Sequence, residues 1–381
     1  MNSLKLSPGV KLGILGGGQL ARMMALAASP YGIDVHIYSE SESDPAAQVV
    51  SHFHPGRLND PKGLEKFLSS CDIVTFESEF INSNLLQTLS EKTKTLIFPN
   101  PQLMGVLQDR LSQKQLLLQY KIPTAEFCKI QDWSDIESIQ NFGTKVVLKQ
   151  RRFGYDGYGT FFISTKKNLG LPMWNEIKNK TDEGFIAEKK IPFKRELALL
   201  LVRDRYGTIV EYPLVESKQT QARCDWVKGP IIHRKESELR KKLKNFLHRE
   251  NYIGVMAFEL FDTGRELLVN EIAPRVHNSG HYTQDACTMN QFQAHVQAVV
   301  GYPLSNPQIL SPFAMVNLLG TSNQEPFWTL PLWSSKEQGQ IHWYGKKENR
   351  INRKMGHLNV LGKSSTEALK VALRSRRKVK L

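Results

Sequence analysis

Residues 255–282, VMAFELFDTGRELLVNEIAPRVHNSGHY, constrain the fold of this chain more than any other stretch. Runs 255–261 and 266–273 alternate apolar and polar side chains around a turn-forming Asp-Thr-Gly-Arg, a pattern that predicts an antiparallel β-hairpin turning at Gly264. A three-residue loop of Thr263, Gly264 and Arg265 pairs Phe261 with Leu267 and sets Glu259 opposite Val269. Glu271 then falls one diagonal step away on the same face, about 7–8 Å between Cα atoms. A loop one residue shorter or longer sends the two carboxylates to opposite faces. Two acids converging on an apolar face repel each other and are costly to desolvate unless a cation sits between them. Mg²⁺ is the hard divalent ion such oxygens suit, with Mn²⁺ as a substitute. The competing reading is a pair of solvated glutamates, or glutamates neutralised by neighbouring bases. The string that follows, Arg275, His277, Asn278, Ser279, Gly280 and His281, has little apolar content and makes a poor core but a good anion site.

At 381 residues, 40% hydrophobic and 23% charged, the chain is long enough for two or three domains with substantial cores. No run approaches the ~20 apolar residues of a membrane span, and the N-terminus lacks a signal-peptide pattern, so a cytoplasmic protein is expected. Cys71, Cys128, Cys224 and Cys287 are widely spaced and read as buried, reduced thiols. The net charge of +14 raises the question of nucleic acid. The excess is concentrated at 234–249, 345–354 and 374–381 without a helix-turn-helix, zinc-finger or aromatic RNA-binding pattern, which favours a site for a small anion over nucleic acid. The last residues read as a disordered tail or frayed helix end.

Along the chain, a strand at 11–15, a helix after Gly16, Gly17 and Gly18, and a strand at 34–38 form a β-α-β unit. Strands at 72–76 and 95–98 extend it into a parallel sheet. A helical stretch at 104–122 leads to strands at 145–150, 160–164, 185–189, 196–202 and 208–214, with helices near 237–250 and 287–300. The C-terminal piece carries strands at 313–319, 340–345 and 356–361 and a helix from Ser365. The expected units are an α/β Rossmann-like domain at 1–105, a central α+β domain at 106–305 with a lid at about 125–185, and a small β-rich domain at 306–381.

Four further motifs bear on chemistry. Gly16-x-Gly18-x-x-Ala21 between strand and helix, with Glu40 ending the next strand, matches the dinucleotide-binding fingerprint, although any anion at the helix start satisfies the same amides. KQRRFGYDGYGT, residues 149–160, places three glycines between adjacent strands, a loop whose amides can close over polyphosphate beside Lys149. Glu188, Lys189, Lys190 and Ile191 end a strand in a short connector able to offer backbone groups to an adenine edge. In the C-terminal piece, two basic clusters, one at Gly345, Lys346 and Lys347 and one at 350–357, read either as a solvated hairpin or as arms reaching a phosphate.

Together, GGGQLARM, QDRLSQKQ, VLKQRRFGYDG, NEIAPRVHNSGHYTQDA and HWYGKKENRINRKMGHLNV resemble, in order and spacing, the ATP-grasp superfamily and within it the 5-(carboxyamino)imidazole ribonucleotide synthetases. The resemblance implies a pre-ATP-grasp domain, an ATP-grasp domain and a β-rich C-terminal domain. It implies that ATP phosphorylates bicarbonate to carboxyphosphate, whose CO₂ is taken up by the amine of 5-aminoimidazole ribonucleotide, and it implies a homodimer. Carried over residue by residue, it assigns metal binding to Glu259 and Glu271. It assigns ATP binding to Arg110, Lys149, Gly154, Tyr155, Asp156, Gly157, Tyr158, Gly159, Thr160, Glu188, Lys189, Lys190, Ile191, Glu196, Gln219, Asn270 and Glu271. Gln19, Leu20, Glu77, Tyr155, Ser279, Lys346, Arg353 and Lys354 would hold the ribonucleotide together with Arg275, His277 and Asn278. These last three, with Asp156, are the catalytic set. The chain departs from the family at Tyr158, where a base is usual, at Thr160, where glutamine is usual, at Gln219 in place of histidine, and across 76–80. The alternatives are a formate-dependent sibling ligase acting on glycinamide ribonucleotide, and an NAD-dependent oxidoreductase.

Overall fold

The opening β-α-β unit grows into a five-stranded sheet in which every pairing is parallel, ordered β3-β2-β1-β4-β5. Its elements are β1 (Lys11–Leu15), α1 (Gln19–Ala28), β2 (Asp34–Ser39), β3 (His52–Pro55), α2 (Pro61–Ser69), β4 (Ile73–Phe76), α3 (Ser83–Thr93) and β5 (Leu96–Ile97). The computed structural model describes residues 9–154, 157–323, 333 and 337–379. The strand order reverses between β1 and β4, so a crevice opens at their carboxyl ends, where Gly16 and Glu77 meet. β3 was not expected from the sequence, because HFHP lacks an apolar alternation; it is a half-exposed edge strand.

The helical stretch at 104–122 is two helices, α4 (Pro101–Leu107) and α5 (Arg110–Gln119). Asn100 caps the first, and Asp109 caps the second by accepting from Leu111 N–H at 2.9 Å. That break places Arg110 at the first position of α5, facing the cleft described below.

A smaller antiparallel sheet follows, ordered β6-β9-β7-β8. It comprises β6 (Phe127–Ile130), α6 (Trp133–Ser138), β7 (Lys145–Gln150), β8 (Thr160–Ser164), α7 (Lys167–Ile177) and β9 (Phe185–Lys189), around a core of Ile130, Val146, Leu148, Trp174 and Phe185.

The largest sheet has nine antiparallel strands, in the path β15-β14-β10-β12-β13-β16-β18-β17 with β11 beside β10. It is built from β10 (Arg195–Arg203), β11 (Ile209–Glu211), β12 (Val215–Thr220), β13 (Arg223–Gly229), α8 (Glu236–Arg249), β14 (Gly254–Asp262), β15 (Leu267–Ala273), α9 (Thr283–Ala286), α10 (Gln291–Val300), β16 (Phe313–Leu319), β17 (Gln338–Trp343), β18 (Lys354–Leu361) and α11 (Ser365–Arg376). Because β16 bonds to β13, the C-terminal strands continue the central sheet across residue 305 instead of forming a sheet of their own. α1 packs on α10 in one core that spans the first and central regions.

Two expectations need correction, and of the two readings of the tail the helix end is the one seen. β12 and β13 were missed: the two-residue turn between them, Gln221-Ala222, has φ of 50° and 58° without the Asn-Gly signature that advertises such a hairpin. The basic tail is helical through Arg376, which is tied to Asp225. Cys128 is only half-buried, while Cys71, Cys224 and Cys287 are buried.

Candidate active site

The β14–β15 hairpin is present, but its register differs from the expected one. Asp262 pairs with Leu267, so the loop has four residues, 263–266, with Gly264 at φ 84°. Such a loop alone would oppose Glu259 to Asn270 and turn Glu271 away. A register shift next to Glu259 absorbs one extra residue on β15 and restores the face, so that Glu259 and Glu271 are direct partners. The convergence is therefore achieved by a bulge at Asn270 and not by the turn.

Burial in the cleft pushes the Glu259 carboxyl up to about 7, and repulsion from Glu271 and Glu196 adds to the effect; Lys149 and Lys354 offset it in part. Glu196, on β10, accepts a hydrogen bond from the Gln219 backbone, and burial raises its pKa as well. The oxygen-rich set of Glu259, Glu271 and the Asn270 amide matches the donor preference of a hard divalent cation.

Cations approach this set from two elements. Arg110 donates to Glu271 at 3.2 Å, to the Gln150 carbonyl at 3.0 Å and to the Gly154 carbonyl at 3.0 Å. Lys149, at the end of β7, donates to Glu188 at 2.9 Å and to the Asn270 side chain at 3.0 Å. Glu188 is 3% exposed, and although burial alone would raise its pKa, Lys149 and Lys114 bring it below the usual carboxylate range. Its side chain is thus committed to lysines, leaving the backbone of the connector as the surface available to a base. Lys189 is paired with Glu126 at 2.6 Å, Lys190 lies over the Phe162 ring, and Ile191 accepts from Phe193 N–H.

Lys114 was missed in the sequence. It donates to Thr124 at 2.6 Å and to the Val269 carbonyl at 3.2 Å, and desolvation lowers its pKa to about 8. The signal was available: a lysine on the apolar stripe of α5 between Leu111 and Leu117. Gln113, also missed, grips Ile272 on β15 through both its amide atoms, which fixes the strand that carries Glu271.

The glycine loop folds beside these groups. A Cβ on Gly154 would meet the Arg110 guanidinium and the Tyr158 carbonyl, and Gly159 sits at φ 74° beside Gln150, so both positions favour glycine. Gly157 lies against Ala222 of the β12–β13 turn, next to the strand carrying Gln219. Tyr158 is 64% exposed, and Thr160 pairs with Lys149 across β7–β8. Tyr155 and Asp156 lie outside the described residues.

On the opposite wall, Arg275 clasps Glu79 with two hydrogen bonds. His277 reaches Glu259 through Nε2 at 3.5 Å, while its Nδ1 faces the Ser279 hydroxyl at 2.8 Å. Desolvation, with repulsion from Arg275 and Lys354, lowers its pKa to about 3, so the ring is neutral at physiological pH. Asn278 exchanges amide hydrogen bonds with Asn317 on β16 at 3.0 and 2.7 Å, which orients its side chain.

Glu77 accepts from Gly18 N–H at 2.6 Å and Ala21 N–H at 3.0 Å, and so occupies part of the α1 start that includes Gln19 and Leu20. A dinucleotide pyrophosphate on the glycine fingerprint would have to displace it. Glu40 is exposed and 3.9 Å from Arg57. Gln48 donates to the Gly345 carbonyl at 2.8 Å, bringing the segment of Lys346 within electrostatic reach of Glu77. Arg353 is held in its own loop by the Glu348 carbonyl at 2.8 Å, whereas Lys354 acts on both Glu259 and His277.

Comparison with known proteins agrees with this layout. Residues 10–108 match the ribonucleotide synthetase preATP-grasp domain, 115–292 the ATP-grasp domain, and 314–371 the phosphoribosylaminoimidazole carboxylase C-terminal domain. The chain is 36% identical over 375 residues to the N5-carboxyaminoimidazole ribonucleotide synthase of Synechococcus elongatus, covering 96% of this chain and 94% of the relative. The Staphylococcus aureus N5-carboxyaminoimidazole synthetase complexed with ADP superposes with a TM-score of 0.87 at 31% identity, covering 98% of this chain and 99% of that one. The Aspergillus clavatus synthase in complex with ADP and 5-aminoimidazole ribonucleotide superposes with a TM-score of 0.81 at 27% identity, over 95% of this chain and 96% of that one.

Proposed function

The chain belongs to the N5-carboxyaminoimidazole ribonucleotide synthase family, and on that premise we propose how its residues divide the work. It is an ATP-dependent ligase of purine biosynthesis that acts on 5-aminoimidazole ribonucleotide. The acid that it attaches is bicarbonate, and the residue roles below are inferred from the cleft.

Glu259, Glu271 and the Asn270 amide would hold Mg²⁺, an assignment supported by the raised Glu259 pKa and the all-oxygen donor set. Held there, such an ion would supply positive charge to the phosphate oxygens of ATP. Lys149, Arg110 and the amides of the 154–159 loop clamp the polyphosphate. Adenine lies against the 188–191 connector, with Glu196 on the ribose. A bicarbonate oxygen attacks the γ-phosphorus, the bond to ADP breaks, and carboxyphosphate results. The ribonucleotide's exocyclic nitrogen then bonds to the carbon, phosphate departs, and the amine gives up a proton.

Arg275 and Asn278 hold the bicarbonate and its phosphorylated form by charge and hydrogen bonds, with neutral His277 beside Glu259. Gln19, Leu20, Glu77, Ser279, Lys346, Arg353 and Lys354 surround the ribonucleotide. Tyr155 and Asp156, Asp156 being a member of the catalytic set, close over it with the 151–160 lid, excluding the water that would hydrolyse carboxyphosphate. A homodimer in the cytoplasm is part of the proposal; among the described residues no helix is long and apolar enough to cross a membrane.

The observation that carries this reading is the His277–Glu259 contact at 3.5 Å, which joins the carboxylate pair to the anion-binding string in one cleft. ADP release with each component omitted in turn tests it. Coupled ADP formation is expected only with Mg²⁺, bicarbonate and 5-aminoimidazole ribonucleotide together. Turnover with formate and glycinamide ribonucleotide, and none with bicarbonate, would assign the sibling reaction.

A further inference from the structure

Away from the cleft, the edge of the first sheet carries a second constellation of metal-ligand type. Asp34 and His36 alternate along β2 and His52 and His54 along β3, so all four side chains share one face of a parallel strand pair. His36 sits directly beside His52 in the register, their rings stacked at 4.5 Å. His36 Nε2 lies 3.1 Å from one Asp34 oxygen and His52 Nε2 lies 3.3 Å from the other. Among the described residues, Asp34, His36 and His52 alone bring three such donor atoms within 4.8 Å of one another.

Ligand atoms around a tetrahedral Zn²⁺ at about 2.0–2.1 Å stand roughly 3.3 Å apart; each imidazole lies about that far from one oxygen of Asp34, His36 from Oδ2 at 3.1 Å and His52 from Oδ1 at 3.3 Å. His36 Nδ1 is 2.9 Å from His54 Nε2. If Nδ1 carries the proton and donates it to His54, the His36 Nε2 lone pair faces a carboxylate oxygen, an arrangement that a cation relieves. A partner on the far nitrogen is what usually fixes the tautomer of a metal-binding histidine. His36 is 6% exposed, which rules out free rotation, whereas the His52 side chain is half-exposed and leaves an entry path and a fourth position open to solvent. Two neutral imidazoles and one carboxylate are a borderline, nitrogen-rich set that selects Zn²⁺ or a neighbouring first-row dication over Mg²⁺.

We propose that Asp34, His36 and His52 form a binding site for a first-row transition dication of the Zn²⁺ class, with His54 as the outer partner that sets the His36 tautomer. The ion would pin β3, which among the described residues pairs only with β2, to the rest of the first sheet. None of these side chains belongs to the ATP and ribonucleotide cleft, so the site is independent of the ligase reading.

The test uses the full chain, stripped of metal and held in millimolar Mg²⁺ so that the cleft is occupied, and titrated with Co²⁺ as a spectroscopic probe. One equivalent should give a tetrahedral d–d band that Zn²⁺ abolishes. His52→Ala, a half-exposed edge position, should lose the band while keeping its Mg²⁺-dependent ADP release, and His54→Ala should weaken the affinity about 10–100-fold. A wild-type chain without the band, or a band of equal strength and affinity in His52→Ala, would overturn the proposal and leave the cluster as a hydrogen-bonded relay from His54 through His36 to Asp34. Unchanged affinity in His54→Ala would overturn the outer-partner role.

Discussion

Two pairs of glutamates line the cleft; burial raises Glu77 as it raises Glu259, and the opposite treatment is that of Glu79 and Glu259. Glu77 and Glu79, just past β4, are answered by groups of the chain itself: Glu77 by two amides at the start of α1, and Glu79 by a two-pronged Arg275. The Arg275 guanidinium outweighs burial and holds the Glu79 carboxyl below the usual range. Glu259 and Glu271 are directly opposed on β14–β15; one arm of Arg110 meets Glu271, a neutral imidazole stands 3.5 Å from Glu259, and Glu259 rises to about 7. Glu79, held by a two-pronged guanidinium, is part of the scaffold, whereas Glu259, which has no such clasp, is the acid left for a cation.

Neutralising one member of the second pair should have the largest effect. Glu271→Gln is expected to cut turnover by about a thousandfold or more, the scale of a lost electrostatic contact to the transition state, with the fold intact by circular dichroism. The stability response should then run against the loss of activity. Glu259 has a folded pKa above its ordinary value, so its contribution is fully present below about pH 4.5 and is lost as pH rises through 7. Glu259→Gln has no proton to lose, and without Mg²⁺ it should be more stable than the parent at pH 8 by up to about 3 kcal/mol, a gain that vanishes near pH 4.5. Urea unfolding at the two pH values checks this.

Glu79 should behave in the reverse way. Glu79→Gln leaves Arg275 without its partner in the cleft and should cost about 2 kcal/mol in the same unfolding assay, with a raised KM for bicarbonate. The smallest effect is expected at the turn. Gly264→Ala forces an alanine to positive φ at about 1 kcal/mol, yet should leave turnover unchanged, because the bulge, and not the loop, sets which face Glu271 occupies.

Much of this was legible beforehand because it rests on short-range pattern. Alternation at 255–273 marked the hairpin and both carboxylates, and the glycines at 154–159 marked the loop beside Arg110. The register was not legible. Turn length and bulge changed together and cancelled, and a bulge leaves no mark in a hydrophobic pattern. Lys114 was passed over because it lies among leucines that read as core, although a lysine in that stripe is itself the signal. The β12–β13 hairpin was hidden by a left-handed Gln-Ala turn, and the Glu79–Arg275 and Asn278–Asn317 pairs join residues 196 and 39 positions apart, which no local pattern reports.

The claim that Glu259 and Glu271 are the cation anchor of the ATP site is tested most directly by ADP release as a function of Mg²⁺, at saturating bicarbonate and 5-aminoimidazole ribonucleotide, for the parent chain and Glu271→Gln. The account expects saturable Mg²⁺ dependence in the parent and a folded variant whose turnover stays at least about a thousandfold lower at every Mg²⁺ concentration. Near-parental turnover in the variant with the same Mg²⁺ dependence would contradict it.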